Sequence, residues 1–250
     1  MTILAARGLS KQFRGFRAAD RVDLAVAEGS VHALVGPNGA GETTLFNLLS
    51  GFVRPSGGRI EVGGRDVTGL PPERIAALGV ARSFQITSLF PNLTAVQHVE
   101  LALQSRTGTG WQFWRSVKVL ERWSERAHEL LAEVGLADAA DTAAANLAYG
   151  RKRALELAVA LAREPRLLLL DEPTAGMGME DIDRTVELIG RIRAGRTVVL
   201  VEHNMSVVGR LAERVTVLQA GRVLVEGGYH EIRTDARVVA AYLGSADVHH

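Results

Sequence analysis

The sequence predicts an α/β protein whose mostly parallel sheet is covered by helices on both faces. Three runs have the length of a strand and are almost wholly apolar, namely Val31–Val35, Leu167–Leu170 and Thr197–Val201. Segments in which apolar residues recur at helical spacing lie between these runs. Continuous apolar strands that alternate with helices are typical of a parallel sheet that is buried on both faces.

The chain divides into three consecutive parts of one domain. Residues 1–87 contain short β-rich runs separated by glycine-rich turns, and these runs are Ile3–Leu9, Val22–Val26, Val31–Val35 and Arg59–Val62. Residues 88–148 are predicted to be helical, because apolar residues from Leu120 to Val134 recur at helical spacing and Gly135 follows as a stop. Inside this part, Thr107–Gly110 is a predicted flexible break before the aromatic segment Trp111–Trp114.

The third part, residues 149–250, returns to alternating helices and strands. A predicted helix over Arg151–Arg163 ends before Pro165, and the strand Leu167–Leu170 follows it. The remaining predicted elements are a helix at Glu180–Arg193, a strand at Thr197–Val201 and a pair of strands around Ala220-Gly221.

Composition excludes several classes of function. The net charge of +1 gives no basic field for nucleic acid, and the absence of cysteine excludes disulfides, thiolate metal sites and cysteine nucleophiles. Residues 1–8 lack the pattern of a signal peptide, and no apolar run approaches the length of a transmembrane helix. We therefore expect a soluble, cytoplasmic protein whose membrane role, if any, depends on a partner.

The turn after the first buried strand has the spacing of a phosphate-binding loop. Residues Gly36-Pro37-Asn38-Gly39-Ala40-Gly41-Glu42-Thr43 match G-x-x-x-x-G-K-[ST], except that Glu42 stands where the pattern has lysine. The loop lies between a predicted strand and a predicted helix, so its backbone N–H groups would face a phosphate at a helix N-terminus. Thr43 is placed to ligate Mg²⁺. A glycine-rich turn that only joins strand to helix is the alternative at this point.

A second motif favours the nucleotide-binding interpretation. The strand Leu167–Leu170 ends in Asp171-Glu172-Pro173, which places two carboxylates at the edge of the sheet where ligands bind. Asp171 can hold Mg²⁺ through its water shell, and Glu172 can act as general base toward the attacking water. The same residues could cap a helix, but a buried strand that delivers adjacent acids to its carboxyl end makes a cap alone a poor explanation.

With these two motifs the chain resembles the ATP-binding subunits of ABC transporters over nearly its whole length. The resemblance implies a P-loop NTPase fold with a mostly parallel core sheet, an N-terminal antiparallel β subdomain and a helical subdomain. It also implies ATP and Mg²⁺ as cofactors. The nucleotide-binding residues would include Gly36, Pro37, Asn38, Gly39, Ala40, Gly41, Glu42, Thr43 and Thr44.

Further residues take their expected roles from this resemblance. Gln85 matches the glutamine that touches Mg²⁺ or water, and His203 matches the histidine that contacts the γ-phosphate. Thr174–Met177 resembles the D-loop, which communicates across a dimer. Phe13 resembles the aromatic residue that stacks on adenine, with Phe16 as its competitor. The signature motif that completes the opposite subunit's ATP site corresponds to Leu147-Ala148-Tyr149-Gly150-Arg151, where Ala148 lacks the usual serine hydroxyl.

Within this family the chain resembles the branched-chain (hydrophobic) amino acid uptake group and its LivG-like subunits. The stretches that carry this resemblance are Arg82–Gln85, Leu89–Thr94, Asn146–Gly150, Val201–Met205 and Ala241–Gly244, and Trp111–Trp114 lies where the group lengthens its helical subdomain. Importers of urea or short amides have similar subunits. The resemblance implies permease subunits docked at residues 87–93, a second ATP-binding subunit, an indirect substrate-binding protein and a peripheral position on the inner face of the membrane.

Glu42 is expected to impair the ATP site. Two unit charges about 4 Å apart interact by roughly 4 kcal/mol at an effective dielectric constant near 20, so reversing the sign at this position costs several kcal/mol. An engineered or isolated change and a naturally degenerate site are both open, and the intact Thr43, Gln85, Asp171, Glu172 and His203 favour the former. We expect reduced hydrolysis with little effect on folding, on the assumption that the loop is exposed. A regulatory module that binds nucleotide without hydrolysis and a soluble ABC protein acting on DNA or ribosomes are the competing functions.

Overall fold

A computed structural model describes residues 1–83, 89–106 and 117–246 of the 250-residue chain. Its strands are β1 (Thr2–Phe13), β2 (Phe16–Ala27), β3 (Val31–Val35), β4 (Gly57–Val62), β5 (Arg65–Asp66), β6 (Val80–Arg82), β7 (Leu167–Asp171), β8 (Thr197–Val201), β9 (Arg214–Gln219) and β10 (Arg222–Gly227). Its α-helices are α1 (Glu42–Leu49), α2 (Pro72–Ala76), α3 (Ala95–Arg106), α4 (Val117–Glu133), α5 (Tyr149–Leu161), α6 (Met179–Ile192), α7 (Met205–Leu211), α8 (Tyr229–Thr234) and α9 (Ala236–Ala246).

The strands form two sheets. Strands β2, β1, β4 and β5 make an antiparallel sheet in that order. The second sheet has the order β10-β9-β3-β8-β7-β6, and all of its pairs are parallel except β10 with β9. The carboxyl ends of β3, β7 and β8 therefore lie side by side at one edge. This arrangement confirms the predicted α/β fold with a mostly parallel core sheet and an N-terminal antiparallel sheet.

The parallel sheet is buried on both faces, as its continuous apolar strands predicted. Along β7, Leu168 and Leu170 pack into the apolar core formed with α3–α7, whereas Leu167 and Leu169 pack into the core formed with α1, α2 and the antiparallel sheet. Because side chains alternate across a strand, each apolar strand contributes to both cores. The sheet is thereby fixed between two layers, and the loops at its carboxyl edge start from rigid positions.

Between β6 and α5 the described residues include the helices α3 and α4, and α4 covers most of Leu120–Val134, where the spacing of apolar residues predicted a helix. Helix α3 packs on α4, and both contact α5. The segment Trp111–Trp114 and residue Gln85 lie outside the described residues. Within the described ranges, no helix combines the length and apolar character needed to cross a bilayer.

Candidate functional site

The phosphate-binding loop joins β3 to α1 at the carboxyl edge of the parallel sheet. Gly41 precedes the helix with a φ of 108°, which favours glycine, and its carbonyl accepts a hydrogen bond from the backbone N–H of Leu45 at 2.9 Å. A Cβ atom on Gly41 would lie 2.5 Å from the carbonyl oxygen of Ala18, and one on Gly36 would lie 2.6 Å from that of Leu218. Both glycines are therefore required by the neighbouring backbone.

The loop presents a mixed surface rather than a wholly exposed one. Its residues are exposed at Asn38, Gly39 and Thr43, partly buried at Pro37, Gly41 and Thr44, and buried at Gly36, Ala40 and Glu42. The expectation that the loop is exposed is thus wrong at three positions, because the backbone at Leu218 and Gly221 packs against the loop. The exposed residues form the outer rim, where a phosphate would approach.

Glu42 is among the buried residues, so the expectation that it has little effect on folding loses its basis. Its side chain is 5 % exposed, and its Oε1 lies 2.8 Å from the position that a Cβ atom on Gly36 would occupy. No hydrogen-bond partner for this Oε1 exists among the residues that the structure describes. A buried polar atom without a partner costs roughly 1–3 kcal/mol. Glu42 therefore opposes folding.

The surroundings of Glu42 disfavour its charged form. Burial raises the pKa of the Glu42 carboxyl above its usual value, and the negative charge of Glu172 acts in the same direction. The backbone N–H groups of Glu42 and Gly41 and the charge of His203 oppose this rise in pKa without cancelling it. The loop and the two neighbouring strand ends are thus close enough to form one electrostatic site.

Asp171 ends β7 and is 2 % exposed. Its Oδ2 accepts a hydrogen bond from Nη2 of Arg82, the last residue of β6, at 2.7 Å, and the two side chains form an ion pair. Its backbone N–H donates to the hydroxyl of Ser83 at 3.4 Å. Its Oδ1 makes no hydrogen bond within the described part of the chain. The carboxylate is held at one oxygen and available at the other.

Glu172 and His203, both expected to be catalytic, are brought together by the ends of β7 and β8. Nε2 of His203 lies 3.2 Å from Oε1 of Glu172. Glu172 has a φ of 45°, which is uncommon for a residue with a side chain, and its backbone N–H donates to the carbonyl of Val201 at 3.0 Å. Both side chains are partly exposed. The pair can therefore hold and orient a proton beside the phosphate-binding loop.

Glu202 organises the backbone around this pair. Its Oε1 accepts hydrogen bonds from the hydroxyl of Thr174 and from the backbone N–H of Thr174 at 3.1 Å. Its Oε2 accepts from the backbone N–H groups of His203 at 3.0 Å and Asn204 at 3.1 Å. The side chain is 3 % exposed. One buried carboxylate thus joins the start of the D-loop-like stretch to the histidine.

The signature-like segment begins α5 and contacts the D-loop-like stretch of the same chain. Ala148 precedes the helix in extended backbone and gives it no side-chain cap. The hydroxyl of Tyr149 donates to the carbonyl of Ala175 at 3.1 Å. A Cβ atom on Gly150 would lie 3.1 Å from Oδ1 of Asp181 in α6. The helix N-terminus therefore keeps its free backbone N–H groups, while Tyr149 links it to the neighbouring loop.

The candidate adenine-stacking residues lie at the tip of the β1–β2 hairpin. Phe13 and Phe16 are paired across a two-residue turn, and they are 43 % and 66 % exposed. Nζ of Lys11 lies 4.8 Å from the centre of the Phe13 ring. Both rings are free to meet a base, so the choice between them stays open.

Oxygen donors suited to Mg²⁺ are present at this edge. The Thr43 side chain is at the exposed start of α1, and Asp171 offers its Oδ1. Mg²⁺ is usually held by one or two protein oxygens together with phosphate oxygens and waters. No group of three or more His, Asp, Glu or Cys residues is arranged to hold a metal in residues 1–83, 89–106 and 117–246. The donor set therefore fits an ion that arrives with a nucleotide.

Two residues of the site were not assigned a role from the sequence. Arg82 and Glu202 both lie in stretches that carry the family resemblance. Their side chains bind residues that are distant in sequence, Asp171 in the case of Arg82 and Thr174 in the case of Glu202. A charged residue beside a motif, at the end of a buried strand, is the signal that could have indicated them.

Comparison with known families matches residues 19–175 to the model described as ABC transporter, and residues 222–248 to branched-chain amino acid ATP-binding cassette transporter. The chain is 39 % identical to the high-affinity branched-chain amino acid transport ATP-binding protein BraF of Pseudomonas aeruginosa, over 98 % of both chains. It is 37 % identical to LivG of Escherichia coli over the same shares. The solved ADP conformation of MJ1267, an ATP-binding cassette of an ABC transporter, is similar with a TM-score of 0.85, 26 % identity and coverage of 98 % of this chain and 99 % of that chain.

Proposed function

The chain belongs to the ABC transporter family of ATP-binding subunits, in its branched-chain amino acid group, and on this premise we propose that it is the energy-coupling subunit of a branched-chain amino acid importer. Membership confirms the family resemblance inferred from the motifs. The transported solute is proposed from what relatives such as BraF and LivG are named for, branched-chain amino acid transport. The subunit would bind ATP with Mg²⁺ and work with a membrane permease.

The single observation that carries the enzymatic part is the contact between Glu172 and His203. Nε2 of His203 is 3.2 Å from Oε1 of Glu172. The two residues lie at the same edge of the sheet as the phosphate-binding loop. In this proposal Glu172 accepts a proton from the attacking water, and His203 orients that carboxylate and contacts the γ-phosphate. Gln85 is proposed to touch the metal or water, although it lies outside the described residues.

The permease is proposed to dock on an apolar cavity of about 450 Å³ between the parallel sheet and the helical region. Its lining includes Phe52, Phe90 and Leu101, which are 50 %, 56 % and 45 % exposed. Leu89, which also belongs to the predicted docking range 87–93, packs partly against the apolar core. Exposed apolar side chains around a concave surface are typical of a protein interface. The residues from 84 to 88 lie outside the described part.

The remaining partners follow from the same proposal. A second ATP-binding subunit would meet the signature-like segment at Ala148, Tyr149 and Gly150. A substrate-binding protein would act indirectly through the permease. The subunit would then lie peripherally on the inner face of the membrane.

Glu42 is proposed to weaken ATP binding and hydrolysis. Half of the charge-reversal cost of several kcal/mol would exceed about 1.4 kcal/mol, which is one decade in affinity. The test measures Mg-ATP binding by calorimetry and phosphate release for the chain and for Glu42→Lys. We expect Glu42→Lys to bind more than about tenfold more tightly and to hydrolyse ATP, because the lysine restores a cation at the phosphates.

A control variant identifies the source of any turnover. Adding Glu172→Gln to Glu42→Lys should lower the hydrolysis rate by roughly 10²–10⁴-fold while ATP still binds. Normal turnover by the unaltered chain would contradict the proposed impairment. Absence of ATP binding in Glu42→Lys would overturn the nucleotide-binding function itself.

Glu42 and Ala148 favour a second candidate, a regulatory subunit that binds nucleotide without hydrolysing it. In that case both the chain and Glu42→Lys bind ATP and neither turns it over, even together with the permease. Co-purification with a permease, followed by leucine uptake in proteoliposomes, tests the transport part. Uptake of urea or acetamide instead of leucine would replace the proposed solute.

A further inference from the structure

Arg82 occupies a junction between three elements of the site. Its Nη2 donates to Oδ2 of Asp171 at 2.7 Å, and its Nη1 donates to Oδ1 of Asn47 at 2.6 Å and to the hydroxyl of Ser50 at 2.8 Å. Asn47 lies in α1, the helix that begins at the phosphate-binding loop, and Ser50 follows the helix. The guanidinium carbon lies 4.9 Å from the centre of the Phe46 ring. One side chain thus joins β6, α1 and the end of β7.

The contacts of Arg82 fix the orientation of Asp171. The Arg82 side chain is only 12 % exposed, and stacking on Phe46 restricts its motion. Because Oδ2 of Asp171 is engaged, Oδ1 is the oxygen left available, as described above. Burying a carboxylate is costly unless it is paired, and Arg82 supplies that pair. The arrangement resembles the outer partners that orient metal ligands in other proteins.

We propose that Arg82 is a positioning residue for Asp171, which it holds so that Oδ1 faces the Mg²⁺ that accompanies the nucleotide. Its ties to Asn47 and Ser50 keep Asp171 in register with the helix that carries Thr43. This inference rests on the proposed function, because it concerns the same nucleotide site. It assigns to Arg82 no contact with the substrate.

The positive charge of Arg82 beside Asp171 could instead weaken the binding of Mg²⁺. If Arg82 competed with Mg²⁺ for Asp171, removing it would strengthen metal binding instead of weakening it. The geometry favours positioning, because Arg82 has four further contacts that hold it in place independently of Asp171. These are with Asn47, Ser50, Phe46 and Phe52. The two effects differ in sign, so one measurement separates them.

The experiment uses the full chain carrying Glu42→Lys and measures the dissociation constant of the non-hydrolysable analogue AMP-PNP by calorimetry. Each titration is made in Mg²⁺ and again in EDTA, and the ratio of the two dissociation constants gives the metal-dependent gain in affinity. We expect Arg82→Met to reduce this gain by roughly tenfold or more and to leave binding in EDTA unchanged. A merely structural role would weaken binding in both conditions.

Two milder variants guard against a folding failure of Arg82→Met. Arg82→Lys keeps a charge near Asp171 but loses the fork that reaches α1 as well, so it should restore part of the gain. Asn47→Ala leaves the ion pair and loosens Arg82, so it should reduce the gain by a smaller factor. The control is Arg196→Met, which removes an arginine of similar burial and its ion pair with the more exposed Glu133, at the opposite edge of the sheet. It should leave the gain unchanged.

A double-variant cycle tests whether Arg82 acts through Asp171. In the presence of Asp171→Asn, the further change Arg82→Met should have no effect on the metal-dependent gain. An unchanged or increased gain in Arg82→Met and Arg82→Lys would overturn the inference alone. A Glu42→Lys chain that binds no AMP-PNP would overturn the proposed function, and this inference with it.

Discussion

Two buried carboxylates on either side of the candidate site have opposite environments. Glu202, at the end of β8, is 3 % exposed and accepts four hydrogen bonds, from Thr174, His203 and Asn204. Glu42, at the start of α1, is 5 % exposed and leaves one oxygen without a partner among the described residues. The strand-end half of the site is therefore built to hold a carboxylate, and the loop half is not.

The loop half offers backbone groups rather than side-chain partners for a carboxylate. Its glycines bring the main chain close to Ala18 and Leu218, and its helix start presents N–H groups toward any anion. A carboxylate fits the shape of the space beneath the loop but not its electrostatic character. Glu42 therefore lowers stability, and we propose that it also weakens ATP binding.

Removing the partnered carboxylate should have the largest effect on stability. We expect Glu202→Ala to lower the free energy of unfolding by roughly 3 kcal/mol or more, because three backbone N–H groups and a hydroxyl lose their acceptor. Urea unfolding measures the loss. Glu213→Ala, which breaks an exposed ion pair with Arg193, should cost at most about 1 kcal/mol. Equal losses in the two variants would mean that Glu202 contributes no more than a surface charge.

His32 extends the comparison to a buried base. Its Nε2 is 2.8 Å from the hydroxyl of Thr216 and its Nδ1 has no partner in the described structure. Burial, assisted by Arg214 and opposed by Glu226, lowers the pKa of His32 from 6.5 to about 4. Between pH 6.5 and 4, His32 is therefore protonated in the unfolded chain but not in the folded chain. The free energy of unfolding falls as the pH drops through this range.

Because of His32, the free energy of unfolding should fall by about 3 kcal/mol in total over this pH range. About 2 kcal/mol of this should be lost by pH 5. Urea unfolding of the chain and of His32→Gln at pH 7 and pH 5 measures this contribution as the difference in pH dependence. The exposed His128→Gln variant is the control and should retain the dependence of the unaltered chain. An identical fall in stability in His32→Gln would show that other groups cause it.

The smallest expected effect on stability comes from Glu42, whose carboxylate has one oxygen without a partner in the described structure. We expect Glu42→Gln to raise the free energy of unfolding by about 1 kcal/mol at pH 7.5, because it removes a buried charge. Since burial raises the pKa of Glu42, the folded chain binds the proton more tightly than the unfolded chain. The destabilisation therefore appears as the pH rises through the raised pKa, and the two proteins should converge in acid. A stabilisation that is independent of pH would indicate a change in packing instead.

Local sequence patterns were enough to predict the layered fold and the place of the candidate site in it. Val31–Val35 and Thr197–Val201 are strands with the predicted bounds, because a short apolar run rich in β-branched residues is typical of a fully buried strand. Spacing around Gly36–Thr43 and the acids after Leu170 predicted a shared sheet edge, because parallel strands deliver their carboxyl ends to one side. Each of these patterns involves only a few consecutive residues.

The partners of the charged side chains became apparent only from the packing of distant elements. Arg82 and Asp171 are separated by 89 positions, and nothing in their local sequence indicates that they form an ion pair. The burial of Glu42 was likewise missed, because the packing of a helix start beneath its loop depends on β9 and on the β1–β2 hairpin. A periodic pattern specifies which face of an element is buried, whereas the pairing of individual charges depends on how distant elements meet.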